Sequence, residues 1–589
     1  MPRTLTRWVP QVLTTVSLVS LVPIGCSTNE SVTPTHTTKL TVVQADATSP
    51  GAVQLALQAC VGLYNRREGG SVFVTLEAHD QVWIDELALK PAETVSESAF
   101  LNRCIADFPS CVRYDYKAQQ ALLPNVLTVA SVLSAVPIDD SMTLACKNVA
   151  VDAKQVFADK ATPYLATKYV FEQYGKQTTG LAMLSPGYDE HPTDSAHPDL
   201  THDMRPALVD FVFAQRLFVL YFVNGCIPDN PERELLSSIV NAGSWPTPLP
   251  VYGYNSTWNV LGGDLYEAQT RCLDSRNMGA IASETGNLSY YSSVKAPIVD
   301  ANVVQQNALE AITYDASTTY VAFLVGDGDN IGYMTGTRHD WFRQRLDDCA
   351  TPDSACPPLT WTISPHLARI APDLLRWYYD QSHKTKNDYF ALPPSGHLYA
   401  YPASLADEDQ NRFVTATEQD ARILGITGTV HWEWFDSWHN AEDNFLPKYA
   451  TASGAIRGVF PVNVPYKFNA FPWWPKERFF EVLSGADGGS VVVFRPREWR
   501  GVADDTDVAT QSPQKMADEL SGYPAGTVSW VYMTSDGGLT LDNSFMAMSK
   551  LLPAHVQLVS ADTAVKLALA ASKQLLQRSR HSASQPSTI

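Results

Sequence analysis

Residues 321–334 read VAFLVGDGDNIGYM, and the fold follows from how that stretch changes character at Gly326. Val321 to Val325 is a continuous apolar run, the signature of a strand buried on both faces in a parallel sheet. The run then releases Asp327, Asp329 and Asn330 within four positions. In α/β folds ligands bind where such strands end, because the loops there open onto a crevice or barrel mouth. Two carboxylates and an amide at that point are costly unless substrate, metal or hydrogen bonds compensate them. Asp and Asn also bond their own backbone in turns, so the same letters fit a plain polar turn.

The rhythm seen at 321–325 repeats downstream. Strand-like runs occur at 320–325, 359–364, 388–392, 428–432, 458–462, 490–495, 527–533 and 555–560. Helix-length segments lie between them, at 368–381, 418–424, 476–484, 513–521, 544–552 and 561–576. Eight strands alternating with helices over some 260 residues predict a C-terminal (β/α)8-like barrel of TIM type, regular or irregular. Upstream the pattern is mixed. Short apolar runs at 71–76, 112–116 and 121–129, a buried helix over 203–223 and a second helix over 231–242 predict a smaller α/β domain. The resulting division is 1–27 signal peptide, 28–65 tether, 66–300 N-terminal domain, 301–576 barrel and 577–589 disordered tail.

Polar residues cluster after the predicted strands, as a site at a barrel mouth requires. The first strand gives Asp327, Asp329 and Asn330, the second Ser364, Pro365 and His366, and the third Ser395, His397 and Tyr399. The fourth gives His431, Glu433 and Asp436 among Trp432, Trp434, Phe435 and Trp438; later ends supply Arg495 and Asp536. Aromatic faces beside carboxylates suit a sugar, whose C–H faces pack on Trp and Tyr while its hydroxyls take Asp, Asn, Arg and His. Glycoside cleavage needs two carboxyls, one protonated and one ionised. Asp329 and Glu433 are the expected pair, with Asp327 tuning the first carboxyl or sharing in the chemistry. Expected substrate contacts are Asn330, His397, Tyr399, Tyr401, Trp432, Trp434, Asp436, Arg495 and Asp536.

Residues 393–402, PPSGHLYAYP, carry Gly396-His397-Leu398-Tyr399-Ala400-Tyr401-Pro402. This heptapeptide resembles the signature of the GxGYxYP putative glycoside hydrolase family, with Leu398 where the signature has its second Gly. The DGDN segment is similar to the family's C-terminal domain. Tyr114-Asp115, the helix around 210–223 and Asn287-Leu288-Ser289 are similar to its N-terminal domain. The resemblance spans about 70–560 and implies a carbohydrate substrate, with the motif's Gly and Tyr residues shaping a loop.

Composition sets the remaining bounds. The 589 residues carry 43 basic and 62 acidic side chains, a net charge of −19. That balance argues against nucleic acid, which is bound by neutralising phosphates. Arg3 and Arg7 precede a mostly apolar run from Val12 to Ile24, the layout of an export signal and too short to span a bilayer. Gly25–Cys26 is similar to a lipoprotein processing site, making Cys26 a candidate lipid anchor on an otherwise secreted or cell-surface protein. Eight further cysteines predict disulfides, Cys104 with Cys111 and Cys349 with Cys356 among them. Asn29, Asn255 and Asn287 begin N-x-[ST] sequons. No cofactor motif, CxxC or HxxxH pair is present, so no metal is expected. Two other readings fit the same residues: a metal-dependent carbohydrate deacetylase or hydrolase using the Asp pair with His366, His397 or His431, and a non-catalytic glycan-binding protein.

Overall fold

In the computed structural model the described residues are 39–46, 48–184, 207–222, 224–227, 229–242, 245–253, 265–274, 276–293, 304–350, 356–434, 437–464, 478–499, 511–533 and 540–583. The predicted signal segment, Cys26, Asp436 and Asp536 lie outside them. Every described residue belongs to one compact unit, Pro34–Ile589.

Three parallel sheets make the N-terminal half. The first places β1 (Leu40–Gln44) between β2 (Val72–Thr75) and β3 (Pro91–Ser96). The second places β4 (Ser110–Tyr114) between β5 (Val136–Asp139) and β6 (Asn148–Asp152). The third runs β10 (Met278–Ile281), β9 (Leu249–Tyr252), β7 (Leu181–Met183), β8 (Phe218–Leu220). The tether predicted for 28–65 overlaps regular structure: β1 lies within it, and the helix Gly51–Glu68 begins in it and runs past its end with fourteen of its residues buried. The helix predicted over 203–223 is only Val209–Gln215, because the β-branched and aromatic run after Arg216 pairs as β8. Asn287 is buried and clamped, its amide bonding the Val74 backbone and Asp80, so this sequon presents no acceptor at the surface.

All eight strand-like runs of the C-terminal half are strands: β11 (Thr319–Val325), β12 (Leu359–Thr362), β13 (Asp388–Ala391), β14 (Gly428–Trp434), β15 (Gly458–Val464), β17 (Ser490–Phe494), β19 (Val528–Met533) and β20 (Val556–Val559). Two more intervene, β16 (Phe480–Ser484) and the short β18 (Glu498–Trp499). β16 corrects the helix predicted at 476–484, because its residues form an antiparallel hairpin with β17. β11 is buried at all seven positions. It carries β19 along one edge and shares the other between β20 and β12. β13 continues that sheet, and a single parallel bridge, Leu392 to Thr429, joins it to the sheet β14-β15-β17-β16. The final helix runs Ala561–Ala583, into the segment predicted as a tail. Among the described residues no helix is long and apolar enough to cross a membrane.

Four disulfides staple the chain: Cys60–Cys104, Cys111–Cys146, Cys226–Cys272 and Cys349–Cys356. The last is the predicted local loop. Cys104 does not bond Cys111, because its side chain faces the helix Gly51–Glu68 and meets Cys60 instead. Four bridges in one chain fit an oxidising, extracellular compartment.

One ion pair is sealed in the core between β13 and the helix Thr337–Ala350. Arg345 and Asp388 are both fully buried, 3.1 Å apart, and Asp388 also accepts from Trp361 Nε1 at 2.8 Å. Removing one partner of such a pair strands the other charge. Asp388→Ala is therefore expected to lower unfolding free energy by about 3–5 kcal/mol, and Asp388→Asn by less. Denaturant melts of the three proteins check this.

Candidate functional site

The DGDN turn is held in place by the strand beside it. Thr362 at the end of β12 donates its hydroxyl to the Val325 carbonyl at 2.7 Å and accepts from Gly328 N at 2.9 Å. The turn passes so close that a Cβ on Gly328 would sit 1.8 Å from the Thr362 carbonyl oxygen, so only glycine fits. Beneath it Arg338, buried, donates to the carbonyls of Gly326 and Thr362 and packs near the Trp361 ring. Asn330 caps the helix Ile331–Thr335, its Oδ1 accepting from Tyr333 N at 2.9 Å. That capping bond occupies the amide oxygen and leaves its nitrogen for a ligand.

Asp329 sits among enough protein to be strongly desolvated while keeping part of its surface open. Burial, then the neighbouring charge of Asp327, pushes its carboxyl up to about 8; Arg338 opposes the shift. Asp327 itself adopts the left-handed region, at φ 60°. Asp329 is thus a protonated acid at neutral pH.

A pocket opens beside it, lined by Asp329, Ser364, His366, His397, Tyr399 and the prolines 393 and 394, with Ala280 to Ala282 on its far wall. It gathers the ends of β10, β11, β12 and β13, which explains why residues 40 to 120 positions apart meet. The loop after β13 is nailed at both ends. Ser395 Oγ bonds the backbone of Ala400 and Trp432. Tyr399 exchanges backbone hydrogen bonds with Ala280 at 2.9 and 3.0 Å, so the loop pairs antiparallel with β10. Leu398, where the signature has glycine, packs on Gly279; a Cβ there would lie 2.7 Å from the Leu398 Cβ.

Two histidines share the pocket with different bonding. His366 donates from Nε2 to the His397 carbonyl at 2.6 Å, and burial drives its pKa down to about 3, so the ring is neutral. His397 meets Asp420 instead, Nδ1 to Oδ2 at 2.6 Å. Asp420 is almost fully buried; despite that burial, His397, His366 and Arg369 together hold its carboxyl below the usual range.

Several expected contacts have other tasks. Glu433 is fully buried on β14 and does not line this pocket. Its oxygens accept from Ala403 N at 2.8 Å and from Ser437, and His431 lies 3.1 Å away. Asp274 beside it accepts from Tyr401 N; burial pushes its carboxyl well up and the charge of Glu433 adds to the shift. Tyr401 and Trp432 are buried, Trp432 edge-on to Tyr399 at 4.9 Å and Tyr401 against Trp434 at 6.2 Å. Trp434 is half-buried with the Arg271 guanidinium 4.3 Å over its ring. Arg495 lies beyond β17, its carbonyl taking the Trp530 indole N–H. The pocket thus joins Asp329, His397 and Tyr399; Asp327 and Asn330 flank Asp329 in the turn, and Glu433, Tyr401, Trp432, Trp434 and Arg495 do not line the pocket. Sequence reasoning missed Asp420 and Arg338, which lie within helices, Thr362, the last residue of β12, and the β10 wall, which comes from the N-terminal half.

Among the described residues no group of three or more His, Cys, Asp or Glu side chains is arranged to hold a metal ion. A crystal structure of a putative hydrolase from Bacteroides thetaiotaomicron VPI-5482 superposes with a TM-score of 0.65 over 90% of this chain and 94% of that one, at 17% identity. At that identity the likeness is one of fold. A 4-alpha-glucanotransferase from Thermococcus litoralis (TM-score 0.28, 12% identity, 42% of this chain and 40% of that one) is too distant to bear on it. So is the peptidoglycan deacetylase PdaC from Bacillus subtilis (0.23, 11%, 45% and 98%). No curated protein is significantly similar to this chain. Residues 317–472 match the family described as "GxGYxYP putative glycoside hydrolase C-terminal domain", and the segment that builds both the DGDN turn and the GHLYAYP loop is a domain of that family.

Proposed function

We propose that the protein is an exported carbohydrate hydrolase that cleaves glycosidic bonds at the pocket between the DGDN turn and the GHLYAYP loop. The observation that carries this is Asp329: a carboxyl pushed up to about 8 by burial, lining the crevice between the turn and the loop, is the kind of group that glycoside cleavage needs to protonate the departing oxygen. Burial, with the charge of Asp327 added, keeps the proton on Asp329. Asn330 and Tyr399 would take substrate, and Pro393 and Pro394 give an apolar wall for a pyranose face. Glu433 and Asp274 would act at one remove, fixing the loop. We read the eight strands from β11 to β20 as an irregular barrel with this pocket at its C-terminal mouth, supported by their parallel order and the Leu392 bridge. The disulfides and the apolar leader support export.

Asp329→Asn keeps the shape and removes the transferable proton. It is expected to lower the release of new reducing ends from a panel of plant, fungal and bacterial polysaccharides by about 10²–10⁴-fold. Survival of the parent's activity in chelator supports this chemistry, whereas acetate release abolished by chelator would move it to a metal-dependent deacetylase. Glycan binding without any product would make the protein a binding module.

The same residue sets a pH dependence. The folded pKa of Asp329 lies above the unfolded value, so between about pH 4 and about pH 8 the folded state binds the extra proton and stability falls as pH rises. Activity is lost above about pH 8 as the acid deprotonates. Asp329→Asn is expected to raise the melting temperature at pH 8 and leave it nearly unchanged at pH 4, read by calorimetry at both values. Gly328→Ala, which drives a methyl into the Thr362 carbonyl, is expected to reduce both activity and melting temperature.

A further inference from the structure

His397, backed by the buried Asp420, is a second proton-transfer group aimed into the pocket that Asp329 lines. We propose that this His–Asp dyad is the base that activates the hydrolytic water, in place of a second carboxylate; the inference rests on the glycoside-cleaving reading above.

Three observations converge on it. First, the ring is oriented. Asp420 accepts from Nδ1 at 2.6 Å and is itself held by Arg369 Nη1 at 3.2 Å, so the imidazole is fixed in the tautomer that leaves Nε2 as an acceptor. Second, no hydrogen bond from Nε2 is found among the described residues, while the side chain is 19% exposed and His397 lines the pocket. Third, the backbone is pinned as firmly as the ring: His397 N donates to Thr417 Oγ1 at 3.1 Å, and the His397 carbonyl accepts from His366. The groups against the ring are Asp420 and Phe413 from the helix Asp407–Leu424 and His366 from the segment after β12, with Arg369 behind Asp420; Asp329 lines the same pocket. Glu433, the expected second carboxyl, has both oxygens engaged away from the pocket.

The step balances without a further reactant. A water gives one proton to His397 Nε2 as its oxygen bonds the anomeric carbon. The bond from that carbon to the bridging oxygen breaks, and Asp329 passes its proton to the departing oxygen. The imidazolium then returns its proton to solvent and Asp329 is reprotonated. Attack opposite the leaving group inverts the anomeric centre.

The test compares His397→Gln, Asp420→Asn and Asp329→Asn on a polysaccharide the parent cleaves. His397→Gln is expected to lose about 10²–10⁴-fold in kcat, with KM little changed. Asp420→Asn is expected to lose less and to alter the ¹⁵N tautomer signature of His397. The first product should carry inverted configuration. His397→Gln within threefold of the parent while Asp329→Asn is inactive would overturn the dyad and leave the hydrolase reading standing. Retained configuration would overturn the dyad in the same way. A parent that cleaves no glycoside would remove both.

Discussion

A single hydroxyl sets the geometry on which the site depends. Thr362 ties the last carbonyl of β11 to the third residue of the turn that follows, and so stitches two parallel strands together where their ladder ends. Because the turn lies flat against β12, its two Asp side chains are forced outward into a space already crowded by protein. Desolvation then raises the Asp329 carboxyl, and the charge of Asp327 adds to the shift. Arg338 below prevents the carbonyls from being orphaned, so the strain of the close approach does not spread into the core.

The remaining wall comes from far upstream. β10, at the close of the N-terminal sheets, receives the loop after β13 as an added antiparallel segment. The two halves of the chain therefore share a pocket as well as a core. This arrangement gives Tyr401 a packing role against Trp434, while Tyr399 meets Trp432 edge-on and its backbone carries the register with β10.

Much of this was legible before any coordinates. Buried parallel strands announce themselves as unbroken apolar runs, so eight of the ten strands from β11 to β20 are legible one by one, and Asp329 stands out because it follows such a run. Other features resist reading. Glu433 and His431 share a face of β14 by the period of two, yet nothing in the letters says that this face is closed. Asp420 belongs to an amphipathic helix and looks like any acidic surface residue until His397, 23 positions earlier, is folded onto it. The segment before Ser484 has a helix-like pattern and pairs as a strand because β17 offers it an edge.

Leu398 and Gly279 occupy one volume between them. The bulk that the signature motif forbids at its second glycine has been admitted here by emptying the facing strand. Steric room in this fold is thus a property of a pair of positions 119 apart in sequence. A chain with glycine at the loop is free to carry a side chain on the strand, and each solution tilts the same loop against the same wall by a different contact.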